Sequence, residues 1–358
     1  MMTAILFLLV LAVLIFVHEL GHFLIARACG IRVDAFALGF GPKLFSKTVG
    51  ETTYSLNLIP FGGYVKIFGE NPDDESMNGE DKARSFVHKP KWQQIAVLFA
   101  GIFFNFVFAA VIVAIAFTFG VPASSGSYAE YKDKMSDQHI AVTFVTPGSP
   151  ADKAGLKAGD ELLVDSVENL QSQINESKDN GVLINYERGG QVSSTTVIAI
   201  KGIVEDKYAI GIAMDNVATL KLPFYLSVVE GVRFTLHSIV ETIIGLTNLI
   251  IGGFKGTSSL ASVTGPVGIA GKVGDAAEIG FAYLLQFTAI ISINLGVLNL
   301  IPFPALDGGR ILFVIIEVII RRPIKPAIAN LVNTIGFLLL IGLMLFVTYK
   351  DIINAVVK

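Results

Sequence analysis

Val17-His18-Glu19-Leu20-Gly21-His22-Phe23 lies inside an apolar run, residues 4–26, that is long enough to cross a membrane. On a helix, positions four apart share a face, so the His18 and His22 imidazoles can reach one metal ion. Glu19 is offset by about 100° and can serve a water on that metal as general base. An ionisable cluster inside an apolar span is expensive and marks a functional site. Fourteen apolar residues, 4–17, precede His18. At 1.5 Å per residue the motif sits about 21 Å along the helix, past the bilayer centre. Without the metal, the motif reads as three polar residues at a helix end facing lipid head groups.

The rest of the chain is built for the same environment. It has 358 residues, 53% apolar and only 16% charged, against roughly 25% charged in a soluble domain. The net charge of −3 gives no reason to expect a nucleic-acid partner. Cys29 is the only cysteine, so no internal disulfide can form. Further spans are expected at 95–119, 281–303 and 327–347, about four transmembrane helices in all. The run 239–254 is shorter. It follows Glu230, Arg233, His237 and Glu241, spaced as a polar stripe, so the segment 218–262 reads as an amphipathic helix lying on the membrane, with a crossing as the alternative. No Lys or Arg precedes the first run and no small-residue cleavage pattern follows it, so it reads as a span and not a cleaved leader.

Lys and Arg counts set the orientation. Residues 27–91 hold nine, and Arg310, Arg321, Arg322 and Lys325 cluster before the last span. Both loops are expected in the cytoplasm, with both chain ends outside and the motif toward the cytoplasmic side. Residues 138–216 then form an outer soluble domain. Ala141-Val-Thr-Phe-Val145 is strand-like, Pro147-Gly-Ser-Pro150 a turn, 151–156 a short helix, and 182–186 and 195–200 strands.

A catalytic zinc takes three protein ligands and a water. His88, His139 and His237 lie outside the spans with no motif around them. Asp307 is better placed, in Asn299-Leu-Ile-Pro-Phe-Pro-Ala-Leu-Asp307-Gly-Gly-Arg310, where prolines and glycines break the third span. Its alternative role is to cap the next helix. Asn299 can hydrogen-bond a substrate backbone or the reacting carbonyl, or else a neighbouring helix. Asn105, in the second span, reads as structural.

The pair of motifs, His18–His22 and Asn299 through Leu306-Asp307-Gly308, resembles the site-2 protease family of intramembrane zinc proteases. Gly39-Phe-Gly-Pro42, Ile59-Pro-Phe-Gly-Gly-Tyr-Val65 and Gly265-Pro-Val-Gly-Ile269 add to the likeness, in the order of the bacterial regulator of sigma-E protease branch. The resemblance covers nearly the whole chain. It implies Zn2+ held by His18, His22 and Asp307, Glu19 as the base, and Asn299 assisting with substrate. It implies a protease core in two halves, 1–119 and 263–358, and a membrane-reentrant β-hairpin at about 39–68. An unpaired edge there, at Tyr64 and Val65, can add an extended substrate strand; the alternative is a hairpin that only shields the site.

Residues 147–160 resemble part of a PDZ domain, and Tyr208-Ala-Ile210-Gly211-Ile212 its carboxylate-binding loop, in the circularly permuted bacterial order. Such a domain either binds a peptide C-terminus or acts as a size filter, and the filter is favoured slightly. Two departures stand out. There is room for one PDZ domain where some members have two, and Ile102 follows Gly101 where proline is expected. The expected activity is cleavage of single-pass membrane proteins, such as anti-sigma factors or signal-peptide remnants, by a monomer in the bacterial inner membrane. A transporter or channel with a metal site and an inactive membrane scaffold are the rival readings.

Overall fold

The computed structural model describes residues 2–71, 74–177, 180–204, 207–255 and 264–356. Helix α1 (Met2–Ala28) leads into strands β1 (Val33–Val49) and β2 (Thr52–Ile67), then a short α2 (Asp74–Asn78) and α3 (Lys91–Phe119). Next come β3 (Val121–Ser124), β4 (Met135–Val145), α4 (Pro150–Lys153), β5 (Glu161–Leu162) and α5 (Val167–Ser177). Strands β6 (Val182–Arg188), β7 (Gln191–Val197), β8 (Ile200–Val204), β9 (Lys207–Ala209) and β10 (Ile212–Leu220) follow. The chain closes with α6 (Phe224–Phe254), α7 (Pro266–Ile279), α8 (Phe281–Leu300), α9 (Asp307–Ile320) and α10 (Pro326–Val356).

Five of these helices are long and apolar enough to cross a membrane: Met2–Ala28, Lys91–Phe119, Phe224–Gly253, Phe281–Leu300 and Pro326–Ile353. That is one more than the four expected. The run at 239–254 does not stand alone but ends a 31-residue helix that begins at Phe224. Its preceding polar stripe belongs to the same helix, with Glu230 only 2% exposed. Residues 256–262 of the expected amphipathic segment lie outside the described residues. Along α10, Leu331, Leu338, Leu339 and Leu345 are each about 60% exposed. Side chains of that size on a continuous outward face suit hydrocarbon, not water. Helix α8 stops at Leu300, because Pro302 and Pro304 lack the N–H that would continue it.

The chain divides into two compact units, one of Met1–Ala114, Val228–Ala276 and Leu285–Lys358, the other of Ile115–Ser227 and Ala277–Leu284. In the first, Phe23, Ile31, Val33, Phe36, Ile67, Phe86, Val97 and Val314 form one apolar cluster. It binds the end of α1 to the β-ribbon, α3 and α9. Close helix contact needs small residues, and a Cβ on Gly21 would stand 2.8 Å from the Ala100 carbonyl carbon.

The β1–β2 ribbon starts at Val33, earlier than the expected hairpin at 39–68, and turns at Gly50–Glu51. Its register is bent. Residues 35–38 face 53–56 on one side and 63–66 on the other. The bends fall at Gly39, Gly41 and Gly62, whose φ values of 80°, 84° and 105° favour glycine. Among the described residues, 63–67 therefore pair along one side only, with 33–38.

The second unit contains a six-stranded sheet in the order β3-β10-β4-β5-β6-β7 and a separate β8–β9 hairpin. Its core packs α5, through Leu170 and Ile174, onto Ile140, Val142, Leu162, Ile184, Val197 and Ile210. The sheet extends past the expected 138–216 at both ends, since β3 and the end of β10 pair. Buried Asp160 accepts two hydrogen bonds from the Arg188 guanidinium, at 2.6 and 2.7 Å. Those bonds raise the guanidinium pKa above its ordinary value.

Candidate active site

Helix α1 presents His18 and His22 from successive turns toward the start of α9. The His18 Nε2 and His22 Nε2 atoms are 3.3 Å apart, and the Asp307 Oδ2 lies 3.2 Å from the first and 3.3 Å from the second. The three side chains are 10–16% exposed. The Asp307 Oδ2 is buried and has no hydrogen-bond partner.

This triangle fits a metal. A tetrahedral zinc with bonds of about 2.0–2.1 Å separates its ligand atoms by about 3.3–3.4 Å. Two imidazoles and a carboxylate are the donor set of a catalytic site that keeps one position open. The orphaned Asp307 oxygen is the atom that a cation would satisfy. Space is reserved as well. A Cβ on Gly101 would come within 2.8 Å of the His18 Cε1 and 2.9 Å of the His22 Cδ2, and closer still to the His22 Nε2. Only a glycine lets α3 pass here without filling the centre.

Asp307 does not act as the expected alternative, a helix cap. The capping position of α9 is Leu306, with no side-chain cap, and Asp307 is the first helical residue. Its side chain is turned to the histidines. Gly308 and Gly309 permit this tight entry, because a Cβ on Gly308 would stand 2.5 Å from the Leu300 carbonyl carbon.

The triad opens into a cavity of about 630 Å³ that Glu19, Tyr64, Val65, Asn299 and Arg310 also line. The Val65 backbone amide lies against the Glu19 carboxylate. A Cβ on Gly63 would lie 3.3 Å from the Glu19 Cγ, so the unpaired β2 edge runs directly beside the glutamate. Asn299 lines the same cavity from α8. Arg310, one turn past Asp307, pairs with Glu70 at the end of the ribbon.

Tyr208, Ile210, Gly211 and Ile212 lie apart from this centre, in the second unit. They line a separate cavity of about 610 Å³ with Phe144, Ile203 and α5. Gly211 has φ 86°, and its carbonyl accepts from the Thr146 N–H at 2.8 Å.

Sequence reasoning gave Gly101, Arg310 and Glu70 no role and read Asn105 as structural. Gly101 is one of several glycines in the chain, and what it faces depends on how α1 and α3 cross. Arg310 carried a signal, a cation one turn from a candidate ligand.

The sequence matches a known family of proteins. The model of peptidase family M50 matches residues 6–343. A protein of Clostridium perfringens named as a zinc metalloprotease is 40% identical over 353 residues, 97% of each chain. One of Brucella suis, named likewise, is 35% identical and covers 98% of this chain and 95% of its own. A third, of Clostridium acetobutylicum, is 33% identical over 95% and 94%. With the family match spanning nearly its whole length, the chain belongs to peptidase family M50 and is a zinc-dependent metalloprotease with several membrane-length apolar helices.

Proposed function

We propose that this protein hydrolyses peptide bonds within the membrane, cutting single-pass transmembrane proteins in the manner of site-2 proteases. The observation that carries the reading is the convergence of His18, His22, Asp307 and Glu19 in one cavity, beside an unpaired strand edge, on helices of membrane length. A transporter needs neither the glutamate between the histidines nor the strand edge.

His18, His22 and Asp307 hold the zinc. A zinc held there would supply Lewis-acid polarisation of the scissile carbonyl and a more acidic water. Glu19 would accept a proton from the attacking water and pass it to the leaving amine. Asn299, on the cavity wall, donates to the carbonyl oxygen or holds the adjacent substrate backbone. A transmembrane helix hides its amides in its own hydrogen bonds, so a substrate must unwind before attack. The edge at Tyr64 and Val65 offers the freed backbone new partners by strand addition. This is the role we assign to the ribbon, as a reentrant hairpin.

Contacts within the first unit support four net crossings. Gly268 N–H donates to the Asp351 carboxylate at 2.9 Å, and Gly274 packs on Thr3. Thr3 is fifteen residues, about 22 Å, from His18 along α1. The start of α6 lies toward the same end of the helices, since Gly231 packs against Ala110 and Ala114. Ala110 is thirteen residues beyond Val97, the partner of His22. The entry to α6 and helix α7 thus lie toward one end of the helices, which supports α6 adding no net crossing. With the basic loops cytoplasmic, both termini and the second unit are extracytoplasmic. That unit is a PDZ-like domain. Its cavity at Tyr208–Ile212 screens substrates by size or holds a C-terminal carboxylate on backbone N–H groups. The substrates are membrane proteins already shortened outside, such as anti-sigma factors or signal-peptide remnants, and the enzyme acts as a monomer in the bacterial inner membrane.

The test is cleavage of a tagged single-pass substrate by purified protein in detergent, beside Glu19→Gln and a chelated sample. Cleavage lost in both and restored by zinc supports the reading. Cleavage that persists in the variant refutes Glu19 as the base.

A further inference from the structure

We infer that Asn105 is a positioning residue for the metal centre: its side-chain amide accepts a hydrogen bond from the His18 Nδ1–H and so fixes the ring with Nε2 toward the metal. This rests on the zinc reading above.

The two histidines are anchored from the same helix. The His22 Nδ1 lies 2.8 Å from the Val97 carbonyl oxygen, which can only accept. His22 therefore carries its proton on Nδ1 and leaves the Nε2 lone pair free. The His18 Nδ1 lies 3.2 Å from the Asn105 Nδ2, and the Asn105 Oδ1 is buried without a partner. The His18 Nε2 is the atom that converges on Asp307 and His22, so its lone pair must face the metal. The ring proton then sits on Nδ1 and needs an acceptor. The amide oxygen of Asn105 supplies it when the carboxamide is turned with Oδ1 toward the ring. The orientation with Nδ2 toward the ring makes the amide donate to Nδ1, forces the proton onto Nε2 and blocks metal binding, so metal binding requires the carboxamide to be turned over. That orientation also leaves Oδ1 buried without a partner.

Asn105 is itself held. It is fully buried on α3, and the Ser292 hydroxyl of α8 donates to its backbone carbonyl at 2.9 Å. Ser292 is equally buried. The ligand on α1 is thus oriented through α3 by a residue clamped from α8, the helix that bears Asn299. A buried amide serving only helix packing would have no reason to meet the ligand ring at the one nitrogen the metal does not use. Partners of this kind fix tautomer and orientation, and their loss typically costs about 10- to 100-fold in metal affinity.

The experiment measures zinc affinity of the full chain in detergent by competition with a chromophoric chelator. The set is wild type, Asp307→Ala, Asn105→Asp and Asn105→Leu. Asn105→Asp keeps an acceptor for Nδ1–H, whereas Asn105→Leu keeps the volume and the apolar character. We expect Asn105→Leu to bind zinc 10- to 100-fold more weakly and Asn105→Asp to bind as tightly as wild type. A packing role predicts the opposite order, since leucine suits an apolar span and a carboxylate does not. Should Asn105→Leu fail to fold, Asn105→Ala replaces it with the same expected loss. Wild-type affinity in the apolar variant, or Asn105→Asp no tighter than Asn105→Leu, overturns the inference. Wild type and Asp307→Ala that both fail to bind zinc overturn the metal site itself, so the two failures are told apart.

Discussion

Gly101→Ala is expected to empty the metal centre while leaving the helices folded. The added methyl carbon would lie 2.8 Å from the His18 Cε1 and 2.9 Å from the His22 Cδ2. Carbon atoms in contact rest at about 3.5–4.0 Å. Each ring must therefore withdraw by at least about 0.6 Å, or α3 must move away from α1 by as much. Metal sites tolerate only about 0.2 Å in ligand distance. The triangle of 3.2–3.3 Å edges cannot open that far and still close on one zinc. Folding should suffer less. Overpacking costs about 1–3 kcal/mol, and replacing a mid-helix glycine by alanine returns roughly 1 kcal/mol. The net loss, at most about 2 kcal/mol, is small beside the stability of a membrane helix bundle whose backbone bonds cannot open to water. The assay is zinc per chain by elemental mass spectrometry, with circular dichroism of the same sample and cleavage of a single-pass substrate. Substoichiometric zinc, native helicity and at least a 100-fold loss of rate are expected. Stoichiometric zinc bound with wild-type affinity in Gly101→Ala would refute the geometry, because the methyl and the ion claim the same space.

Glu19→Gln should retain zinc, since Glu19 is not one of the three converging donors, yet lose 10²- to 10⁴-fold in rate. Asp307→Asn should lose zinc affinity, measured by chelator competition, because it replaces the one anionic donor. In the second unit, Arg188→Met leaves buried Asp160 without its cation. With the guanidinium partly exposed, we expect the low end of the cost of breaking a buried pair, about 3 kcal/mol. Hydrogen exchange at β6 in the full chain should then accelerate by about 100-fold. For the substrate, a transmembrane segment with Gly or Pro should be cut faster than poly-Leu, and equal rates would count against unwinding as a requirement.

The sequence by itself determined the elements whose physics is local. Runs of about 20 apolar residues become helices because nothing else satisfies backbone groups in hydrocarbon. The spacing of His18 and His22 places both on one helical face wherever that helix goes. Glycine and proline between Asn299 and Arg310 end α8 and start α9. Charge and chain breaks together singled out Asp307 as the candidate third ligand, and the structure places its carboxylate beside both histidines.

What depended on pairs of distant segments was not legible. The sequence offered four spans and a surface helix within 218–262, with a crossing as the alternative, and α6 is a 31-residue helix there that is long and apolar enough to cross. Periodicity counts residues and does not see which neighbour covers a polar stripe. The ribbon's double register around 35–38 goes with bends at Gly39, Gly41 and Gly62, whose φ values are positive. Gly101 and Asn105 look alike in sequence, small or polar residues in an apolar helix. Tertiary structure alone separates them from the rest, because the crossing of α3 over α1 puts one against the metal's place and the other against the histidine that would hold it.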